Sequence, residues 1–153
     1  MRRRVVLLGV GGVGKTTLVY RLIGFSAVPY VTLKPGLYRL YFVSGSVELL
    51  DVPGQHAVEV AQRAARQMRR FFDRAVLMYD LTRPETLYAL GEILESICMF
   101  KTCLLAREVV VAGNKRDLAE EYGYMVENTL LPYDTYYISA ANDPPEELAK
   151  IVA

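Results

Sequence analysis

The feature that most constrains this chain is Gly9-Val10-Gly11-Gly12-Val13-Gly14-Lys15-Thr16, which fits G-x-x-x-x-G-K-[ST]. It lies between the apolar run Val5-Val6-Leu7-Leu8 and a helical pattern that continues from Thr17 to Leu22. A strand that ends in glycines and feeds directly into a helix opens a doubly wound α/β sheet, whose ligand crevice lies at the carboxyl ends of its strands. Glycines let successive backbone N–H groups turn inward as an anion-binding nest, and the helix N-terminus adds partial positive charge. The loop therefore predicts phosphate binding by Gly11, Gly12, Val13, Gly14 and the helix start at Thr16 and Thr17. Lys15 would reach the β- and γ-phosphates, and the Thr16 hydroxyl would ligate Mg²⁺. The loop by itself does not name the base.

The same alternation continues along the chain. Val76 to Asp80 and Val109 to Gly113 are continuous apolar runs of the kind buried on both faces of a parallel sheet, and Tyr136-Tyr137-Ile138 adds a shorter one. Helical spacing links Val58, Ala61, Ala65, Met68 and Phe72; a further helix is predicted over Glu85 to Phe100 behind Pro84, and a last one over Glu146 to Val152. Leu37 to Val43 and Val47 to Asp51 flank Ser44-Gly45-Ser46, which predicts a hairpin there. The expected fold is α/β, a doubly wound, mostly parallel sheet with one antiparallel edge strand and helices on both faces. Residues 1–153 are expected to form one minimal domain.

Charge and cysteine usage narrow the function classes. Eighteen basic residues against 17 acidic ones leave a net charge of +1, so no bulk field favours nucleic acid or an anionic membrane. No apolar run approaches the roughly 18–20 residues that span a bilayer. Position 2 is Arg and no cysteine box ends the chain, so no intrinsic lipid anchor is expected. Cys98 and Cys103 read as apolar packing or exposed thiols of a reducing compartment, and Met1-Arg2-Arg3-Arg4 with the short apolar stretch behind it is unlike a signal peptide, so a cytoplasmic protein is expected.

Asn114-Lys115-Arg116-Asp117 follows the run that ends at Gly113. Guanine presents N1–H and N2–H₂ as adjacent donors that one fixed carboxylate can accept together, whereas adenine lacks that pair. N-K-x-D is the guanine-reading motif of Ras-like GTPases, and the chain resembles that superfamily over nearly its whole length. The resemblance implies a P-loop G domain in which Asn114 braces the loop, Lys115 lies along base and ribose, and Asp117 reads guanine. Ser139-Ala140 resembles the family's S-A element, whose alanine N–H approaches guanine O6. Asp51-Val52-Pro53-Gly54-Gln55 resembles D-x-x-G-Q, which implies that Asp51 holds Mg²⁺ through water, the Gly54 N–H contacts the γ-phosphate and Gln55 orients the attacking water. Thr32, the only threonine between the first helix and the hairpin, stands where the family's switch I threonine meets Mg²⁺ and the γ-phosphate. Lys34 follows it as an exposed loop residue. Lys15, Thr32 and Gln55 form the implied catalytic set.

The implied function is a guanine-nucleotide switch that slowly hydrolyses GTP to GDP with Mg²⁺, its switch loops read by an activator, an exchange factor and an effector. Two alternatives stand beside it, a GTP/GDP-binding scaffold with little hydrolysis and a P-loop ATPase or kinase. Within the superfamily, Pro53-Gly54-Gln55 is similar to prokaryotic Mgl-type and Arf-like small GTPases. Arg63, Arg66, Arg69, Arg70 and Arg74 read as a solvated basic helix face, with an acidic partner surface as the alternative. His56 is given no catalytic role, since the family positions water with glutamine. No arginine of the chain can be assigned to the phosphates from sequence, and one supplied by an activator is compatible with it.

Overall fold

The computed structural model describes residues 2–27, 30–34, 36–56, 59, 63, 72–95, 98–99, 102–103 and 106–153. Apolar runs too short for a helix and flanked by turn residues pair into a seven-stranded sheet. Its strands are β1 (Arg2–Leu8), β2 (Val31–Lys34), β3 (Leu37–Phe42), β4 (Gly45–Asp51), β5 (Phe72–Asp80), β8 (Ala106–Asn114) and β9 (Thr135–Tyr137). The spatial order is β2-β3-β4-β1-β5-β8-β9, and β6 (Cys98–Met99) and β7 (Thr102–Cys103) form a separate ribbon. Strands β4, β1, β5, β8 and β9 run parallel, while β3 runs antiparallel to both β4 and β2. The expected doubly wound sheet is present, and β2 is an additional strand outside the antiparallel one.

Successive residues of β1 face opposite sides, which explains why the run is apolar throughout. Val5 and Leu7 pack in the layer with Leu18 and Leu22 of α1 (Lys15–Phe25) and with Leu148 and Ile151 of α4 (Pro145–Val152). Val6 and Leu8 pack on the other face with Leu87, Leu90 and Ile93 of α2 (Pro84–Glu95). A short helix, α3 (Arg116–Tyr122), follows β8 directly. The loops that follow the parallel strands β1, β4, β5, β8 and β9 thus emerge on one edge of the sheet, where the sequence motifs meet.

Four local expectations are corrected. Phe42 pairs with Gly45, so Val43-Ser44 makes the turn and Gly45 opens the return strand instead of sitting within the break. Helix α2 stops at Glu95, short of Phe100, and the chain re-enters extended structure at Cys98. Phe72 is not the end of the preceding helical face; it is buried at the start of β5. Arg74 leaves the basic helix face as well: it lies in β5, where its guanidinium clamps Glu108 through Nε and Nη2, both at 3.1 Å. Its Nη1 donates to the carbonyls of Lys150 and Ile151 at 3.0 and 2.7 Å, closing the last turn of α4. Val58, Ala61, Ala65 and Met68, with Arg66, Arg69 and Arg70, lie outside the described residues, as do the side chains of Cys98 and Cys103. No helix among the described residues is long and apolar enough to cross a membrane.

Candidate functional site

The glycine loop turns between β1 and α1 because two glycines adopt the left-handed region, Gly12 at φ 81° and Gly14 at φ 99°. At Gly14 a side chain is excluded sterically as well, since a Cβ there would lie 2.2 Å from Asn114 Nδ2. The loop walls a cleft of about 590 Å³ lined by Val10 to Thr17, Asp51, Pro53, Gly54 and Lys115. Gly54 opens a short 3-10 turn (Gly54–His56), and a Cβ on it would meet Val10 Cα at 2.8 Å and Gly9 O at 2.9 Å. The segment after β4 is therefore seated against the loop's backbone.

Lys15 is buried at the cleft floor, where Nζ donates to the Val52 carbonyl and stands 3.7 Å from Asp51 Oδ1. Burial lowers the lysine's pKa and raises that of Asp51, and in each case the opposite charge of the partner counters only part of the shift. Both groups are thus held in a setting that disfavours their charges, which a phosphate on one and a cation near the other would relieve.

The residues that the resemblance implies read the base are fastened to the glycine loop. Asn114, 3% exposed at the end of β8, donates from Nδ2 to Val13 O at 2.9 Å and accepts the Ala140 N–H at Oδ1 at 2.8 Å. One buried amide thus links the glycine loop to the Ser139-Ala140 loop. The Ala140 N–H implied for guanine O6 is spent on Asn114 here. Lys115 adopts φ 69°, a left-handed conformation that costs a non-glycine residue about 1–3 kcal/mol unless its surroundings impose it. Two contacts do so: Nζ donates to Gly12 O at 2.8 Å and lies 3.0 Å from Asp80 Oδ2. Asp117 stands in the first turn of α3, accepting the Ser139 hydroxyl at 3.1 Å and the Asn142 amide at 3.2 Å.

Three residues that sequence reasoning missed hold the loop that contains Ser139 and Ala140. Arg21, on α1, donates to the carbonyls of Ala140, Ala141 and Asp143 at 2.8, 2.7 and 2.7 Å. Arg116, the variable position of N-K-x-D, grips both carboxylate oxygens of Asp143 at 3.1 and 2.5 Å and donates to Tyr137 O at 2.8 Å. Asp143 also accepts the Ser139 N–H at 2.9 Å. Burial pushes the Asp143 pKa up, but Arg116 and the Ser139 N–H outweigh it and hold it below the usual carboxylate value. The only signal in sequence was an arginine within the otherwise apolar face of α1, since the partners of Arg21 lie about 120 positions away.

The structure brings together Gly11, Gly12, Val13, Gly14, Lys15, Thr16, Thr17, Asp51 and Gly54 with Asn114, Lys115, Asp117, Ser139 and Ala140. It does not bring Thr32 to them: Thr32 is exposed in β2, paired with Tyr38, and does not line the cleft. Lys34 ends the same strand rather than a loop. Gln55 lies in the turn after Gly54, and its side chain is outside the described residues. His56 Nδ1 lies 3.4 Å from Glu59, an exposed pair that does not line the cleft.

The Ras family model matches residues 4–133. GTP-binding protein Di-Ras2 of Macaca fascicularis is 29% identical over 119 residues, covering 74% of this chain and 58% of that protein. GTP-binding protein Di-Ras1 of Homo sapiens is also 29% identical over 119 residues, and 59% of it is covered. The chain thus spans somewhat over half the length of the curated relatives it matches, and these are animal proteins rather than the prokaryotic members that Pro53-Gly54-Gln55 resembles. Among solved structures, the G domain of the T. maritima FeoB iron transporter aligns with TM-score 0.67 at 22% identity, covering 99% of this chain and 97% of that one. The FeoB G-domain from Methanococcus jannaschii aligns with TM-score 0.68 at 23% identity, covering 97% and 94%. These two likenesses describe the fold. With the family model spanning most of the sequence and the motifs meeting at one cleft, the chain belongs to the Ras family of small GTPases and folds as its P-loop G domain.

Proposed function

We propose that the cleft binds GTP and GDP and hydrolyses GTP slowly, with residues 1–153 acting as one G domain. The observation that carries this reading is the buried Asn114 amide, hydrogen-bonded to Val13 on the phosphate side and to Ala140 on the base side. It ties the glycine loop to the Ser139-Ala140 loop, whose Ser139 holds Asp117, an arrangement that suits a ligand carrying both phosphates and a base with two adjacent donors. Lys15 and the loop N–H groups bind the β- and γ-phosphates, Thr17 extends the cradle, and Lys115 flanks the ribose. Asp117 accepts the guanine donors while Ser139 and Ala140 frame the base edge.

The Thr16 hydroxyl and the Asp51 carboxylate both line the cleft, a set of hard oxygen donors suited to Mg²⁺. Among the described residues no group of three His, Cys, Asp or Glu side chains forms a cage, which fits an ion that completes its shell with water and phosphate oxygens. When bound, Mg²⁺ supplies charge neutralisation at the β- and γ-phosphates. Gln55 orients the attacking water, and the Gly54 N–H senses the γ-phosphate. Thr32 can join only after β2 gives up its pairing with β3, a step that would couple the triphosphate to the surface that an effector, activator or exchange factor reads.

Asp117→Asn tests the base assignment: replacing an acceptor by an amide donor should cost guanine affinity and gain xanthine affinity, read by competition of XDP and GDP. Unchanged preference, or equal binding of ATP, would favour the ATPase or kinase alternative. The position of Thr32 outside the cleft favours a second reading, a nucleotide-binding scaffold with little turnover. Single-turnover GTP hydrolysis separates the two: the switch reading expects Gln55→Leu to fall well below wild type, and the scaffold reading expects equal, negligible rates with binding retained.

A further inference from the structure

We propose that Arg83 is a polyphosphate-binding residue supplied by the chain itself beside Gly12 of the glycine loop, an inference that rests on reading the cleft as a guanine-nucleotide site. Its backbone is fixed in the turn between β5 and α2. Asp80, 1% exposed, accepts the Thr82 N–H and hydroxyl at Oδ1, at 2.8 and 2.6 Å, and its carbonyl accepts the Arg83 N–H at 3.0 Å. The Arg83 carbonyl in turn accepts Thr86 N at 3.1 Å and Thr86 Oγ1 at 2.7 Å. The other oxygen of Asp80 is the one that holds Lys115, whose Nζ donates to Gly12, so this turn is fastened to the phosphate loop.

From that base the guanidinium reaches Gly12: Nη1 lies 2.9 Å from where a Cβ on Gly12 would stand. Gly12 thus has the ammonium of Lys115 at its carbonyl and the guanidinium of Arg83 at its Cα. Three cations surround the loop, each with its own carboxylate: Lys15 with Asp51 at 3.7 Å, Lys115 with Asp80 at 3.0 Å and Arg83 with Glu85 at 3.1 Å. The third pair differs in exposure, since the Glu85 side chain is 66% exposed. An exposed arginine–glutamate pair contributes little, whereas a guanidinium on a phosphate makes short, charge-assisted and frequently bidentate hydrogen bonds. A di- or triphosphate in the cradle therefore outcompetes Glu85 for Arg83, and the glutamate holds the side chain beside the loop when no phosphate is present.

The test measures equilibrium affinities of GDP, GTP and IDP for wild type, Arg83→Gln, Arg83→Lys and Glu85→Gln across a salt series. Arg83→Gln should raise the Kd of all three nucleotides about tenfold, the size expected for one hydrogen bond to a charged group, and flatten the salt dependence. The GDP-to-IDP ratio should stay constant, because the base end is untouched, and Arg83→Lys should recover part of the loss. Glu85→Gln should tighten binding, a change of sign that a merely structural role for the pair does not produce. Wild-type affinity in Arg83→Gln, weaker binding in Glu85→Gln, or a changed GDP-to-IDP ratio would overturn the inference. If wild type binds no guanine nucleotide, the reading of the cleft fails; if it binds GDP and Arg83→Gln binds equally well, only the role of Arg83 falls.

Discussion

At the scale of single residues, the loop of Ser139 and Ala140 is organised by Asp143, which joins Arg116 on α3 to the Ser139 N–H. Asp143→Asn keeps the shape and removes the charge, so the loop should lose registration before the fold is lost. The expected result is a GDP Kd raised by about tenfold, the range for a charge-assisted hydrogen bond, with a smaller proportional effect on the melting temperature. Titration of wild type and variant by calorimetry checks it; equal affinities would show that Arg21 alone holds the loop. The same carboxylate sets an acid limit. Its folded pKa lies below the unfolded value, as does that of Asp80, where burial is outweighed by the hydrogen bonds from Thr82 and the charge of Lys115. Groups depressed in this way contribute stability that is complete above the unfolded carboxylate pKa, about 4, and is lost as pH falls through the folded one. The fall in urea midpoint below about pH 4 should therefore be less steep in Asp143→Asn than in wild type. Equal slopes in wild type and Asp143→Asn would contradict the Asp143 shift, whereas Asp51, whose pKa burial raises, contributes in the opposite sense in both proteins.

At the scale of elements, the strand–loop–helix unit at the N-terminus and the loops after β4, β8 and β9 were legible because each motif is contiguous and each needs special local chemistry, glycine at φ above zero or a donor set at fixed spacing. The clamps were not legible, because they depend on which strand carboxyl ends the sheet brings side by side. Arg74 shows the ambiguity in its simplest form. Apolar residues at Met68 and Phe72 continue a helical spacing through a position where the chain is already extended. The long stem of Arg74 can lie in the core while its guanidinium finds Glu108 and the end of α4. Arg74→Met should keep the stem, strand the carbonyls of Lys150 and Ile151, and destabilise the domain by about 1–3 kcal/mol, the cost of losing charged hydrogen bonds at partly buried acceptors. Chemical denaturation with an unchanged m-value would check this. The segment after β4 offers a second test. Pro53 fixes its own φ and restricts Val52, whose carbonyl receives Lys15. Pro53→Ala should accelerate amide hydrogen exchange over residues 52–56; equal exchange would remove the idea that proline stiffens this segment.

At the scale of the whole molecule, the three cations around the glycine loop, Lys15, Lys115 and Arg83, are each paired with a carboxylate of the same chain. Nucleotide binding is then an exchange of partners, and the native state should gain by mass action. GDP at 100 times its Kd is expected to add about 2.7 kcal/mol to unfolding, and stripping it should lower the melting temperature accordingly. Thermal shift across a GDP series, with ADP as the control, reads this directly, and an equal shift by ADP would contradict guanine selectivity. One feature reaches across the ligand. Helix α1 begins at Lys15, on the floor of the cleft, and carries Arg21, which grips the loop of Ala140, Ala141 and Asp143. A fragment bound at either end immobilises the same rod, so guanosine and inorganic pyrophosphate should each sharpen the other's affinity by one and the same factor, as linkage requires of two sites sharing a mechanical part. In Arg21→Ala that factor should fall towards one, leaving two halves of a nucleotide pocket that no longer sense each other.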